Sequence, residues 1–282
     1  MKFKIIFIRI FAACIFLLCL FLAWTGTQEQ DSPKGLIKVL PVLAAAVLMF
    51  AGTFLPRMDS AGKDRIKLDF GKWAGTYFDE SPRAKKHFYK GFCNWYGNNY
   101  AAAYYYMEKA ADAAENPRAK ARAYFFIGRC AKEEKKYGRA IENLQKAVRL
   151  DAAMPEAWNN LATVCFGIGR PEDGVRACET GIAYNPSYPL LYNTLGNYYY
   201  EAGLYDKALE KILIAEKLLP ANASIVMNSA LGFAALGNEA EAMRRYHRAA
   251  ELGYEENDNA FQLITIHLAR HRQTGEAAPG EY

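Results

Sequence analysis

Residues 155–175 read PEAWNNLATVCFGIGRPEDGV, and residues 190–220 read LLYNTLGNYYYEAGLYDKALEKILIAEKLLP. The two stretches share one arrangement of bulky, small and charged residues when they are offset by 34 positions. The same spacing continues in both directions without insertion or deletion. It gives four consecutive units, which start at Ala121, Pro155, Pro189 and Ala223. A constant period of this length predicts an array of stacked structural repeats.

Each unit carries the same order of residue classes, and this order predicts two helices. In the first half, a bulky residue is followed three and four positions later by two smaller ones: Tyr124, Ile127 and Gly128; Trp158, Leu161 and Ala162; Tyr192, Leu195 and Gly196; Val226, Ser229 and Ala230. In the second half, a small residue leads by four and by seven to two others: Ala140, Leu144 and Ala147; Gly174, Cys178 and Gly181; Ala208, Ile212 and Ala215; Ala242, Tyr246 and Ala249. Small residues let paired helices approach closely, and bulky residues fill the space that remains.

This pattern resembles the tetratricopeptide repeat, whose W-x2-L-G-x2-Y, A-x3-F and terminal Pro signature each unit reproduces in part. The resemblance implies an all-α fold, an α-solenoid of helical hairpins. We expect a degenerate repeat at 84–120 and then repeats at 121–154, 155–188, 189–222 and 223–256. Residues 257–282 are predicted to form a capping helix over the last apolar face, followed by a tail.

The apolar residues of the 282-residue chain concentrate in its first 55 positions, which predict a membrane anchor. Residues 5–24 and 36–55 each form an apolar stretch of about 20 residues, long enough for a helix to cross roughly 30 Å of hydrocarbon. Their only charged residues, Arg9 and Lys38, lie near enough to a helix end to reach the interface. We therefore expect two transmembrane helices that form a hairpin.

Basic residues flank the outer ends of this predicted hairpin, whereas the connecting loop contains only Lys34. Because basic residues resist translocation, both ends of the hairpin are predicted to be cytoplasmic. The expected location is a multi-pass membrane protein, by analogy in a bacterial inner membrane. A cleaved signal peptide is the alternative for the first stretch, with Cys14 in a weak lipoprotein cleavage box. Residues 56–83 form a linker that fits a short strand, an interfacial stretch or a lid on the repeats.

The first helix of each repeat is expected to line a concave surface, which makes that surface the candidate binding groove. Asparagine can donate to and accept from an extended peptide, and arginine and lysine favour carboxylates. The predicted groove residues are Phe125, Arg129, Lys132, Asn159, Thr163, Phe166, Asn193, Asn197, Tyr200 and Met227, and Phe88, Phe92, Trp95 and Leu231 continue the same surface. Exchanging Asn193 and Asn197 for alanine is predicted to weaken partner capture with little effect on thermal unfolding.

Some relatives hold a C-terminal carboxylate with a fixed set of Lys, Asn and Arg residues from three repeats. This chain lacks the full set, because Phe125, Leu190 and Thr194 stand at places where that set has other residues. Charge is also uneven along the repeats. Residues 84–154 contain 14 basic and 7 acidic residues, a net charge of +7, whereas residues 155–282 contain 10 and 16, a net charge of −6. The first half therefore favours an anionic partner or anionic headgroups.

Nothing in the sequence forms a catalytic motif, so we predict no enzymatic activity and no cofactor. His267 and His271 lie four apart on one predicted helix face, a spacing compatible with two metal ligands, but no third ligand accompanies them and we predict no metal site. Cys165 and Cys178 share a repeat and are interpreted as small core residues.

The sequence thus predicts a membrane-anchored scaffold that binds a peptide or protein segment in the groove of its repeats. No nucleic acid is expected as a partner. Two alternatives stay open at this stage. One is a translocated module that assists envelope assembly, and the other is a metal- or redox-dependent regulator.

Overall fold

The fold was analysed in a computed structural model, which describes residues 65–67, 69–72, 77–255 and 258–274. All of these residues belong to the second of two structural units, residues 63–282. The predicted transmembrane segments, 5–24 and 36–55, lie outside the described residues. In the described part of the chain, no helix combines the length and the apolar character needed to cross a bilayer.

The described residues form helices and contain no strand, which confirms the all-α fold. In this part of the chain, a short helical stretch at 65–67 and 69–72 precedes eleven longer helices. These are α1 (Pro82–Tyr96), α2 (Tyr100–Ala113), α3 (Pro117–Glu133), α4 (Tyr137–Leu150), α5 (Pro155–Gly167), α6 (Pro171–Tyr184), α7 (Pro189–Glu201), α8 (Tyr205–Leu218), α9 (Ala223–Ala235), α10 (Glu239–Glu251) and α11 (Asp258–Thr274).

The first ten helices pair as five antiparallel hairpins that stack in chain order, one in each predicted repeat. Contacts across successive hairpins join the first helices α3, α5, α7 and α9 to one another, in addition to each second helix and the helix that follows it. Because the first helices approach each other across the repeats, they form the inner wall of the solenoid. The second helices α4, α6 and α8 form its outer side.

The turn between the two helices of each hairpin requires a left-handed backbone residue. Gly169, Gly203 and Gly237 have φ values of 72°, 75° and 76°, and they are spaced by 34 residues. Lys135 occupies the same place one repeat earlier, with φ at 59°, and Asn98 has φ at 57° in the first hairpin. Glycine adopts this conformation without the steric cost that a Cβ atom brings. The turn therefore explains why three of the five hairpins carry glycine there.

Small residues at the centre of each hairpin are required by close helix contact. A Cβ atom on Gly128 of α3 would lie 2.7 Å from Cγ of Leu144 in α4, and one on Gly196 of α7 would lie 2.6 Å from Cγ1 of Ile212 in α8. Both distances are shorter than a carbon–carbon contact permits. The pattern of small and bulky residues in the sequence thus corresponds to the packed seam between paired helices.

The linker before the repeats packs on the first hairpin. Ile66 and Phe78 are buried, and Phe78 stacks on Phe88 of α1 with ring centroids 4.5 Å apart. Phe70 contacts Phe88 and Phe92 as well, at 6.0 and 6.1 Å between centroids. Of the alternatives for the linker, the helical stretch and these contacts correspond to a lid on the repeats.

The second hairpin begins earlier than the sequence period indicates. Helix α3 starts at Pro117, four residues before Ala121. Asn116 precedes it, and its side chain accepts a hydrogen bond from the backbone N–H of Arg118 at 2.8 Å. Proline fits the first helical position because its missing N–H would have no partner there, so Asn116 and Pro117 together extend the helix by one turn.

Helix α11 caps the last hairpin, as the sequence predicts. Its residues Ala260, Ile264 and Leu268 are buried in one cluster with Val226, Met227 and Ala230 of α9. It contacts α9 more extensively than α10. The capping helix therefore lies toward the inner wall, and this position affects the candidate groove.

Candidate partner-binding groove

The inner wall carries a row of side chains at one repeat position. Arg129 of α3, Thr163 of α5 and Asn197 of α7 are spaced by 34 residues and lie on the first helices of three successive repeats. Thr163 is exposed, and its hydroxyl donates to the backbone carbonyl of Asn159 at 2.8 Å. Arg129 and Asn197 are half-buried. These three predicted groove residues thus follow one line along the solenoid.

Two of the predicted asparagines join neighbouring repeats. The Thr194 hydroxyl donates to Oδ1 of Asn159 at 2.7 Å, and Nδ2 of Asn228 donates to Oδ1 of Asn193 at 2.9 Å. Both bonds link the first helix of one repeat to the first helix of the next. Asn159 and Asn193 therefore stabilise the wall in addition to facing it.

This contact changes the expected result of replacing asparagines. We predict that N193A lowers the free energy of unfolding by about 1 kcal/mol, because Asn228 loses its partner in a half-buried place. N197A is the matched control and is expected to change stability by less than about 0.5 kcal/mol. Chemical denaturation of the two variants measures both values. Equal effects would contradict the structural role of Asn193.

Aromatic rings surround Arg129. Its guanidinium carbon lies 4.1 Å from the ring centroid of Trp95 and 5.6 Å from those of Phe125 and Phe126. Burial lowers the pKa of this guanidinium, while the negative charge of Glu133 opposes the shift. Lys132 lies beside Glu133 in sequence and forms an ion pair with it at 3.5 Å. The basic end of the groove is therefore built from α3 on a platform of rings.

Phe166 of α5 contributes an aromatic surface to the middle of the wall. Its ring stacks on that of Tyr198 with centroids 4.4 Å apart and planes 6° from parallel. A Cβ atom on Gly174 would lie 2.3 Å from the Phe166 ring, so glycine is required there for the ring to keep this position. Phe166 remains half-buried.

The far end of the predicted groove is covered by α11. The Tyr200 hydroxyl lies 2.7 Å from Nε2 of His267, and the rings of Tyr200 and Tyr205 both contact the imidazole. Burial raises the pKa of Tyr200 to about 12. Burial also lowers the pKa of His267, followed by the charges of Arg270 and His271. Tyr200 therefore binds the chain's own terminal helix.

Phe125 and Met227 are core residues, each with 1% of its surface exposed, and Phe88 and Phe92 are completely buried. Phe125 packs in the same core cluster as these two rings of the first hairpin, and Met227 packs beneath α11. The surface that the structure leaves open for a partner is therefore shorter than the sequence predicts. It comprises Arg129, Lys132, Asn159, Thr163, Phe166, Asn193 and Asn197.

The contacts of α11 were not predicted, although its histidines gave a signal. His267 binds Tyr200, and Nε2 of His271 lies 2.8 Å from the carbonyl oxygen of Ala235. Their spacing of four residues therefore corresponds to a packed helix face. Within the described ranges, no group of three His, Cys, Asp or Glu residues is arranged to hold a metal ion.

The cysteines of the repeats are buried thiols. Cys165 and Cys178 are free, and burial raises the pKa of Cys178 to about 12. A thiol with a raised pKa is a weak nucleophile at neutral pH, since the thiolate is the reactive form. Their surroundings agree with the interpretation as small core residues.

The outer side of the solenoid offers a contrasting surface. A shallow groove between α4 and α6 is lined by polar residues around an apolar floor: Gln145, Arg149, Arg170, Asp173, Arg176, Thr180, Ile141, Val148, Trp158, Leu161, Cys165 and Ala177. Asp173 pairs with both Arg170 and Arg176. Positions on this side serve below as controls for the inner wall.

Comparison with known families identifies the repeat. The family model described as tetratricopeptide repeat matches residues 121–154, which are the unit predicted from the spacing. The helices of this unit, the left-handed turn and the close glycine contact occur again in the following repeats. The chain is a tetratricopeptide-repeat protein. No curated protein sequence matches it.

Solved structures show the same fold in other tetratricopeptide-repeat proteins. A thermophilic one from Thermus thermophilus is 20% identical with a TM-score of 0.51, and the match covers 66% of this chain and 99% of that one. A truncated MamA from Desulfovibrio magneticus RS-1 is 18% identical with a TM-score of 0.50, covering 61% and 95%. Another MamA structure is 25% identical with a TM-score of 0.49, covering 57% and 93%. The first two support the solenoid fold of this tetratricopeptide-repeat protein.

Proposed function

We propose that this protein is a membrane-anchored scaffold whose inner wall binds a peptide or protein segment. The row formed by Arg129, Thr163 and Asn197 carries the proposal, because it presents polar side chains along three consecutive repeats. An extended segment that runs along the row meets donors and acceptors at regular intervals. The apolar ring of Phe166 lies on the same helix as Thr163 and supplies area for a side chain of the ligand.

The anchor in this proposal is the pair of apolar stretches at 5–24 and 36–55. Tethering the repeats to a membrane raises the local concentration of the bound segment near other membrane proteins. This gain requires no catalysis. The repeats are proposed to lie in the cytoplasm, because basic residues flank the outer ends of the two stretches.

A blocked groove tests the binding proposal. We expect N197W in the full chain to reduce the recovery of a co-purifying protein from solubilised membranes about tenfold, because the indole fills the space between repeats. The control Q145W places the same side chain on the outer groove and is expected to leave recovery unchanged. Equal recovery with both variants would contradict binding at the inner wall.

The location is tested in the same membranes. Protease added outside sealed, inside-out vesicles is expected to digest the repeats without lysis. Digestion only after lysis would instead support the translocated alternative.

A further inference from the structure

Arg129 is a charged group in an aromatic site. Three rings, those of Trp95, Phe125 and Phe126, lie within 5.6 Å of its guanidinium carbon. Contact with ring faces holds the guanidinium plane and leaves its edge N–H groups available for hydrogen bonds. Among the described residues, no carboxylate lies within 4.0 Å of these nitrogens. The group is therefore half-buried and oriented, yet it has no ion-pair partner in the described part of the protein.

A second arginine on the same helix shows what such a partner looks like. Arg122 of α3 lies 3.8 Å from a carboxylate oxygen of Glu156, which stands 34 residues later on α5. The residue 34 positions after Arg129 is Thr163. The next repeat therefore supplies a carboxylate to Arg122 and a short hydroxyl at the equivalent place for Arg129. Moreover, the Thr163 hydroxyl donates to the Asn159 carbonyl.

We propose that Arg129 binds a carboxylate of the ligand, so that the segment held by the inner wall carries a glutamate or an aspartate opposite Thr163. This inference rests on the proposed function and names the chemistry of its ligand. A guanidinium fixed on rings forms charge-assisted hydrogen bonds with little loss of side-chain freedom. The exposed Thr163 is small enough to leave space for the incoming side chain.

The charges around Arg129 agree with an anionic ligand. Lys132 lies on the same helix and pairs with Glu133. Across the first hairpin, Asp69 accepts a hydrogen bond from the Tyr96 hydroxyl, and Arg65 is close enough to influence that hydroxyl. The two acids are thus engaged by other groups. The three cations exceed them in number, as the net charge of +7 for residues 84–154 indicates.

Matched peptide pools test the inference with the full chain in nanodiscs. Both pools have acetylated and amidated ends and mixed flanking residues, and they differ only in a central glutamate or glutamine. We expect the wild type to bind the glutamate pool about tenfold more tightly in fluorescence anisotropy. The preference is expected to be lost in R129Q, retained in part by R129K and unchanged in R149Q, which alters an exposed arginine of the outer groove.

A further variant tests the missing partner and keeps Arg129 in place. T163E supplies the carboxylate at the place where Glu156 serves Arg122, so it is expected to pair with Arg129 and abolish the preference for glutamate. Because Thr163 is exposed and helical, T163E also remains informative if R129Q does not fold.

Equal binding of the two pools by the wild type would overturn the inference, as would a preference that persists in both R129Q and T163E. Binding of both pools without preference leaves the proposed function standing and removes only the carboxylate subsite. Absence of binding to either pool overturns the inference too. Its effect on the proposed function is then decided by whether a protein co-purifies with the chain and is lost in N197W.

Discussion

Replacing Ile264 with aspartate is expected to lower the free energy of unfolding of the last repeat by about 3 kcal/mol or more. Ile264 lies on α11 with none of its surface exposed, in one buried cluster with Val226 and Ala230 of α9. An ionised carboxylate at this place has no cationic partner in the cluster. The capping helix therefore detaches, and the apolar face of α9 becomes exposed to water.

The control for this variant is Ile266→Asp on the same helix. Ile266 is 53% exposed, so the same substitution there is expected to change stability by less than about 0.5 kcal/mol. Hydrogen exchange of the full chain measures the local effect, since amides of α9, α10 and α11 are expected to exchange faster in I264D alone. Similar exchange in both variants would show that α11 does not cap the repeats.

Detachment of α11 also affects the inner wall. His267 binds Tyr200 of the preceding repeat, so the capping helix limits the surface available at that end. The open part extends from Arg129 on α3 to Asn197 on α7. A partner segment bound there spans three repeats and ends near the covered Tyr200.

Much of the fold could be predicted because each repeat obeys the same local rules. The small residues Gly128 and Gly196 indicate close helix pairs, and Gly169, Gly203 and Gly237 indicate the left-handed turn. These requirements act within one hairpin, so they recur in the sequence with the period of the structure. The linker was open to several interpretations because its buried residues, such as Phe78, are too few to show a period.

The candidate site was less predictable, because its residues depend on contacts between repeats. Asn193 faces the wall in any repeat of this kind, but its bond to Asn228 depends on a residue 35 positions away. Met227 was predicted to be at the surface, and it is buried because α11 leans toward the inner wall. Nothing in the period specifies that angle. Phe125 likewise is buried by the rings of a degenerate first repeat.

The position of Arg129 illustrates both sides of this comparison. Its place in the row with Thr163 and Asn197 follows from the spacing alone. Its stacking on Trp95 does not, because the first repeat departs from the regular period by three residues. A repeat pattern therefore predicts which positions face the wall, and the structure determines which of them are open.

A photoreactive amino acid placed at single positions of the full chain tests the central claim in intact membranes. Position 163 lies on the inner wall and position 145 on the outer groove, and both are exposed, so the two probes have comparable access to solvent. We expect illumination to join one protein to position 163 and not to position 145, because the partner lies along the first helices. Mass spectrometry of the joined peptide is expected to identify a segment with an acidic residue.

The comparison between the two positions is decisive for the groove. A partner joined to position 163 alone is the result predicted here. A partner joined to position 145 and not to position 163 would contradict the account, because it would place recognition on the outer side of the solenoid.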